Sequence, residues 1–210
     1  MHYVRQENVG VWRLAETYNK ALGLAKGKLV AILEGDDFVP SWKLEAQVPS
    51  FARKEVVLTF GKAIIVNMDG RVLGVTPEHY QRYVGMSRNQ MLRELLLGDF
   101  IPALTVMCRR ETLDMIGGFK HLKHFCGVDY PTWLELSLFG EFQFIDKVLG
   151  YWGKHRDNCS IRFAEISQPY KCSLDFFKKR SNELSSLTGF TLEQLLSGIQ
   201  QQLSNDYFHF

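Results

Sequence analysis

No two cysteines in this 210-residue chain stand at C-x-x-C spacing. Cys108, Cys126, Cys159 and Cys172 are scattered. A zinc site needs clustered soft ligands, and a secreted disulfide scaffold is smaller and denser in cysteine. The four therefore read as free thiols in a reducing compartment. Long apolar runs are missing as well. The most apolar region, Leu95 to Met107, is interrupted by Gly98, Asp99 and Pro102, and nothing approaches the ~20 residues of a membrane-spanning helix. The start, Met1-His2-Tyr3-Val4-Arg5-Gln6-Glu7, lacks the apolar core of a signal peptide. These absences point to the cytoplasm and leave open a peripheral seat at the inner face of a membrane. Neither sign of charge is in excess. The 25 Lys and Arg face 23 Asp and Glu, a net charge of +2, which argues against a nucleic-acid surface built on clustered basic residues. Repeats and low-complexity segments are absent too.

What remains is a globular composition, 46% hydrophobic and 13% aromatic. A domain of this length buries roughly 70% of the surface its unfolded chain exposes, so it can fold without metal or disulfide staples. His2 to Gln6 reads as a short strand. A helix follows, with Val11, Leu14, Ala15, Tyr18, Leu22 and Ala25 on one face and Gly27 placed to end it. Leu29 to Leu33 is a continuous apolar run, the pattern of a buried parallel strand, and strand, helix and strand imply a right-handed crossover. After Pro40 a helix carries Leu44, Val48 and Phe51. Val56 to Val66 and Arg71 to Val75 flank Asn67-Met68-Asp69-Gly70, a hairpin signal. Ser87-x-x-Gln90 opens a helix through Leu97 that Gly98 stops. Leu104 to Cys108 reads as a strand, Arg110 to Ile116 and Tyr130 to Phe139 as helices, with Trp133 and Phe139 as core. Phe142 to Ile145 and Val148 to Trp152 complete the strands. From Gln168 onward the pattern is helical, and Thr191-x-x-Gln194 caps a helix with Leu192, Leu195, Leu196, Ile199 and Leu203 on one stripe. The boundary between residues 1–166 and a helical segment, 167–210, is placed where this change occurs.

The strongest chemical signal is Leu33-Glu34-Gly35-Asp36-Asp37, three carboxylates within four residues directly after a strand. Ligands of open α/β sheets bind beyond the carboxyl ends of the strands. Carboxylates crowded there repel one another, and a hard divalent cation with oxygen ligands relieves the repulsion. Magnesium or manganese would then bridge to the phosphates of a nucleotide. The alternative is a solvated acidic loop in which Asp36 or Asp37 caps the helix after Pro40.

These carboxylates stand inside a longer ordered series. Tyr18-Asn19-x-Ala21, Ala25-x-Gly27, Leu33-Glu34-x-Asp36-Asp37, Pro40 and Leu44-Glu45-x-Gln47 are followed by Leu96-Leu97-Gly98 and Val106-Met107-Cys108-Arg109-Arg110. Gly117-Gly118-Phe119, Asp129-Tyr130-x-x-Trp133-Leu134, Tyr151-Trp152-x-x-His155 and Asn158-x-Ser160 complete it. Over residues 4–161 this resembles glycosyltransferase family 2. The resemblance implies the GT-A fold, here an α/β/α sandwich with a helical C-terminal appendage. It also implies a nucleotide-diphosphate sugar as donor, a carbohydrate or lipid-linked acceptor, and Mn2+ or Mg2+ as cofactor. The usual setting of such proteins is polysaccharide or glycoconjugate synthesis.

Carried over residue by residue, the family's D-x-D-type motif falls on Glu34, Asp36 and Asp37. Asp37 becomes the direct metal ligand, Asp36 lies nearer the sugar or ribose, and Glu34 stands in for the usual leading Asp. Gly117-Gly118 matches the glycine loop beside the donor sugar, where absent side chains let backbone approach a ligand; a helix stop explains the same pair. Asp129 matches the catalytic base of inverting members, with Val128 in place of the expected preceding Glu. A helix N-cap ahead of Pro131 is the other explanation. His155 matches a C-terminal histidine that ligates the metal or touches the diphosphate, while His121 and His124 fall where acceptor loops occur and read as solvated. The match begins at the third strand of the GT-A fold. The expectation is therefore a core without the first two strands, in which His2 to Gln6 pairs beside Leu29 to Leu33. The alternatives are a fragment of a longer enzyme, a homo-oligomer, or a non-catalytic relative acting as a binding subunit.

Overall fold

The computed structural model describes residues 3–123, 125–162 and 168–206. After a turn of 3-10 helix over Val11–Arg13, the elements are α1 (Leu14–Leu24), β1 (Leu29–Ala31), α2 (Lys43–Gln47), β2 (Val56–Asn67), β3 (Val72–Thr76), α3 (Arg88–Leu97), β4 (Met107–Arg109) and α4 (Arg110–Met115). They continue with α5 (Asp129–Leu136), β5 (Glu141–Lys154), α6 (Cys159–Arg162), α7 (Pro169–Lys179), α8 (Ser181–Thr188) and α9 (Leu192–Asp206).

One mixed sheet organises them around β2. Along one edge β2 pairs antiparallel with β4 (Leu58↔Cys108) and, further on, with β3 (Ala63↔Thr76 to Val66↔Val72). Its other edge carries β5 in parallel, from Val56↔Glu141 to Asn67↔Lys154. β1 extends the sheet by an antiparallel pairing with β4, Leu29↔Arg109 to Ala31↔Met107. Two cores flank the sheet, separated by strand alternation in β1 and β4 and by a register shift between Val56 and Leu58 in β2. Val30, Leu58, Phe60 and Cys108 face a large helical layer, whereas Leu29, Val56 and Met107 face Phe51 in the 3-10 turn after α2. Helices on both faces make an α/β/α sandwich. α7 to α9 contribute Cys172, Phe176, Phe177, Leu184, Leu195 and Ile199 to the core that holds Leu95, Tyr130 and Trp133. The expected boundary at residue 166 lies outside the described residues.

Locally encoded features form as expected. Ser87 and Gln90 make a reciprocal capping box at α3, and Thr191 and Gln194 make the same exchange at α9. Asn67 Oδ1 accepts from the amides of Asp69 and Arg71 and closes the hairpin turn. All four cysteines are free.

Several expectations fail on long-range grounds. No strand forms over residues 3–6. Tyr3 and Val4 are exposed, and Gln6 Nε2 donates to Thr17 Oγ1 at 2.7 Å, so the segment follows α1 rather than pairing beside β1. Among the described residues β1 pairs only with β4. It is thus an antiparallel strand of three residues at a sheet edge, and Leu33 beyond it is 55% exposed. The crossover from a first strand is absent with it. α1 ends at Leu24, before Gly27 is reached. Leu104 lies in a 3-10 turn, Ala103–Thr105, ahead of the short β4. The two strands expected after Phe142 are one, β5, with register shifts where Asp146 and Lys147 are accommodated. α5 stops at Leu136, leaving Phe139 44% exposed, while Trp133 is fully buried. Leu192, Leu196 and Leu203 of α9 are exposed at its rim; Leu195 and Ile199 carry the packing.

α2 inverts its expected face. Leu44 and Val48 are exposed, and Lys43 and Gln47 are buried. The reason lies in what α2 covers. Lys43 Nζ donates to the carbonyls of Leu104 (2.6 Å), Ile32 (3.3 Å) and Val106 (3.5 Å), and Gln47 Nε2 donates to Thr59 Oγ1 and the Thr105 carbonyl. Carbonyls turned out of the ladder where β1, β2 and β4 converge need donors, and the polar side chains of α2 supply them.

Candidate functional site

The acidic loop leaves β1 at Ile32 and is pinned before α2 begins. Phe38 exchanges both backbone hydrogen bonds with Tyr151 of β5, at 3.0 and 2.8 Å. Gly153 lies one step further along β5, and a Cβ there would stand 2.3 Å from the Asp36 carbonyl oxygen. Glycine is therefore required for the loop to lie against the strand. Asp37 uses this approach, its Oδ1 accepting from the Gly153 amide at 3.0 Å. Neither aspartate caps α2, whose N-cap is Trp42 without a side-chain hydrogen bond.

The three carboxylates have distinct surroundings. Asp36 Oδ2 receives His155 Nε2 at 2.9 Å and Asn158 Nδ2 at 3.0 Å. His155 Nδ1 accepts from the Asp157 amide, which places the ring proton on Nε2 for donation to Asp36. Both ring nitrogens are thus engaged. Asp37 is half-buried, and burial, together with the charges of Glu34 and Asp36, pushes its carboxyl up to about 6, against the lowering effect of the Gly153 amide. Glu34 Oε1 accepts from the Tyr18 hydroxyl at 2.5 Å, and its Oε2 is inaccessible to solvent and without a partner.

The glycine loop is built on α1 and α4. Gly118 N–H bonds to the Leu113 carbonyl at 2.7 Å and Gly117 N–H to that of Asp114 at 3.0 Å, the two bonds of a Schellman ending. Both glycines have positive φ, 77° and 82°. The helix stop is therefore real, and it aims the chain at α1. There Asn19 pairs with the backbone of Phe119 in both directions, its Oδ1 accepting at 2.7 Å and its Nδ2 donating at 3.0 Å. A Cβ on Gly118 would lie 2.2 Å from that Oδ1.

Asp129 is the first residue of α5, and Val128 holds the N-cap position without a side-chain bond, so the carboxylate meets the first amides of the helix from within its first turn and not from the N-cap position. One of its oxygens, Oδ1, is buried without a partner. Burial raises the carboxyl to about 6, opposed by the first amides of α5 and reinforced by the charge of Glu34. The acidic loop and Asp129 thus feel each other's charge, and α1 binds the acidic loop through Tyr18 and the glycine loop through Asn19. His121 Nδ1 is buried without a partner and the ring packs edge-on to Trp12, so it is not the solvated residue expected; His124 lies outside the described residues.

Tyr18, Asn19 and Asn158 belong to the series read in the sequence, but nothing there assigned them a task. Lys43 and Gly153 carried no signal at all, because each acts on backbone distant in sequence. Among the described residues no three His, Cys, Asp or Glu side chains form a group able to hold a metal ion by themselves. The set instead suits a cation shared with ligand phosphates, which needs only one or two carboxylates. The crowding that raises Asp37 is what such an ion would relieve.

No family model matches the chain. Over 121 residues it is 26% identical to an uncharacterized glycosyltransferase of Haemophilus influenzae, a match covering 58% of this chain and 44% of that protein. Among solved structures it superposes on S. aureus TarS 1-349 in complex with UDP-GlcNAc, with a TM-score of 0.51 and 14% identity over 81% of this chain and 52% of that one. The fold is that of the GT-A glycosyltransferases. The mannosyltransferase PcManGT from Pyrobaculum calidifontis, in complex with GDP-Man and Mn2+, matches in the same way, with a TM-score of 0.52 and 15% identity over 91% and 53% of the two chains. The chain thus spans under half the length of the curated relative and about half of these GT-A structures. No helix among the described residues is long and apolar enough to cross a membrane.

Proposed function

We propose that this chain forms the donor and catalytic site of a metal-dependent, inverting glycosyltransferase that moves a sugar from a nucleotide-diphosphate sugar to an acceptor hydroxyl. The observation that carries this is a pair of buried, unpartnered carboxylate oxygens, Glu34 Oε2 and Asp129 Oδ1, on residues near enough for the charge of Glu34 to raise Asp129, with a glycine loop tied to the helix that binds Glu34. Buried acceptors without donors are costly unless a ligand completes them. Both the TarS and the PcManGT structures hold nucleotide sugars, and PcManGT holds Mn2+ as well, which supports the donor class.

In this reading Glu34 and Asp36 bind the donor, with the Gly117-Gly118 turn beside its sugar. Asp37 would hold the divalent cation jointly with the donor's phosphates, and that ion supplies charge neutralisation for the departing diphosphate. His155 orients Asp36; it could join the ion only by releasing that carboxylate. Asp129 takes the proton of the acceptor hydroxyl as the oxygen attacks the anomeric carbon, and a single displacement inverts the configuration. A pKa near 6 leaves Asp129 ionised, and so competent as a base, at neutral pH. Acceptors would be carbohydrate or lipid-linked, in polysaccharide or glycoconjugate synthesis on the cytoplasmic side.

The test is calorimetric titration with UDP-GlcNAc and GDP-mannose, with and without Mn2+, followed by transfer assays on Asp129→Asn. Metal-dependent binding retained in a variant that no longer transfers is the expected result. Transfer at the unmodified rate by Asp129→Asn would remove the base assignment. Absence of binding to either donor would favour the non-catalytic relative.

A further inference from the structure

Tyr18 and Asn19 are adjacent on α1, yet they reach two different loops. Asn19 holds the backbone of Phe119, and the Tyr18 ring meets the Phe119 ring edge-on, with centroids 5.0 Å apart. The ring is thereby fixed from the side of the glycine loop. Its hydroxyl points the other way and donates to Glu34 Oε1 at 2.5 Å. Glutamate has three rotatable side-chain bonds, and this short hydrogen bond fixes one end of its carboxylate. The opposite oxygen, Oε2, is closed to solvent and has no donor.

We propose that Tyr18 is a positioning residue for the donor pocket: it holds one oxygen of Glu34 and so limits the orientations the carboxylate can take toward a hydroxyl of the bound nucleotide sugar. This rests on reading the site as a nucleotide-sugar pocket. The geometry makes Tyr18 suited to the task in two ways. Burial and the nearby carboxylates of Glu34, Asp129 and Asp37 drive its hydroxyl far above its ordinary pKa, so it remains a donor at every working pH. Its seat on Phe119 also couples the position of Glu34 to that of the glycine loop, so both sides of the pocket share one reference, α1. A carboxylate held in advance loses less rotamer freedom when the ligand arrives, which appears as affinity rather than as turnover.

The experiment compares wild type, Tyr18→Phe, Glu34→Ala and the double variant. UDP-GlcNAc and GDP-mannose are titrated in Mn2+ by competition with a fluorescent nucleotide, and donor KM and kcat are measured alongside. Tyr18→Phe keeps the ring on Phe119, so the variant should fold cooperatively, with its melting temperature lowered only by the loss of one part-buried hydrogen bond. Loss of a charge-assisted hydrogen bond that orders the acceptor should weaken donor binding by roughly tenfold or more, with the loss falling on KM more than on kcat. In the Glu34→Ala background the same substitution should have no further effect, because Tyr18 acts through Glu34. Wild-type affinity in Tyr18→Phe, or losses that multiply in the double variant, would overturn the assignment while leaving the donor pocket intact. Failure of the wild type to bind either donor would overturn the pocket and Tyr18's role together.

Discussion

Replacing Asp129 by Asn should stabilise this protein at neutral pH and do little in acid. In the folded chain its carboxyl is raised from 3.8 to about 6, chiefly by burial. The sign follows directly. Between pH 4 and pH 6 the native carboxyl keeps a proton that the unfolded chain has released, so stability falls as pH rises through this window and levels off above it. The charge of Asp129 also raises Asp99, so roughly two pK units at 1.36 kcal/mol each set an upper bound of about 3 kcal/mol at pH 7 that the two carboxyls share. Asparagine keeps the shape and an oxygen for the first amides of α5 but cannot carry the charge. For a chain of this size the gain corresponds to a melting temperature higher by roughly 4–10 °C at pH 7.5. The assay is thermal and urea unfolding of both proteins at pH 4 and pH 7.5. A variant no more stable than wild type at pH 7.5, or one whose gain is as large at pH 4, would refute the electrostatic origin. A base that destabilises its own fold is the expected cost of holding a reactive group away from water.

The supporting geometry makes three further predictions. Lys43→Met removes a donor from the carbonyls of Ile32, Leu104 and Val106 and should cost about 2–3 kcal/mol in urea unfolding; Val106 keeps the Ile32 amide, and the other two buried acceptors lose the lysine. Gly153→Ala places a methyl group against the Asp36 carbonyl; the acidic loop must move, so metal-dependent donor binding should fall by at least about tenfold while the melting temperature changes far less. Gly118→Ala meets both a positive φ and the Asn19 side chain and should destabilise by roughly 2–3 kcal/mol. Combining it with Asn19→Ala should cost less than the sum of the two, measured by a double-mutant cycle.

What could be read from the sequence divides along the range of the interactions involved. The caps at Ser87 and Thr191 and the turn at Asn67–Gly70 form as expected because each is decided by residues within four positions of one another. The carboxylates of the acidic loop were visible for the same reason: three acidic side chains in one turn need an explanation wherever the fold puts them. The antiparallel pairing of β1 with β4, by contrast, joins Val30 to Cys108, and an apolar run of five residues carries no record of its partner's direction. α2 shows the limit most clearly. Its apolar residues suggest that Leu44 and Val48 face inward, yet the surface it covers is a set of carbonyls from Ile32, Thr59 and residues 104–106, and these reverse the face. The site follows the same division. Glu34, Asp36, Asp37 and Asp129 stand out by residue type, whereas the groups that hold the acidic loop, Tyr18, Gly153 and Asn158, act across 16, 116 and 122 positions, and Asn19 holds the glycine loop across 100. Groups that bear charge in a cleft declare themselves one residue at a time; the groups that orient them are defined only by the fold. In this chain one helix, α1, reaches both the acidic loop and the glycine loop, so substitutions on its inner face should disturb the donor pocket more than their distance in sequence from the acidic loop suggests.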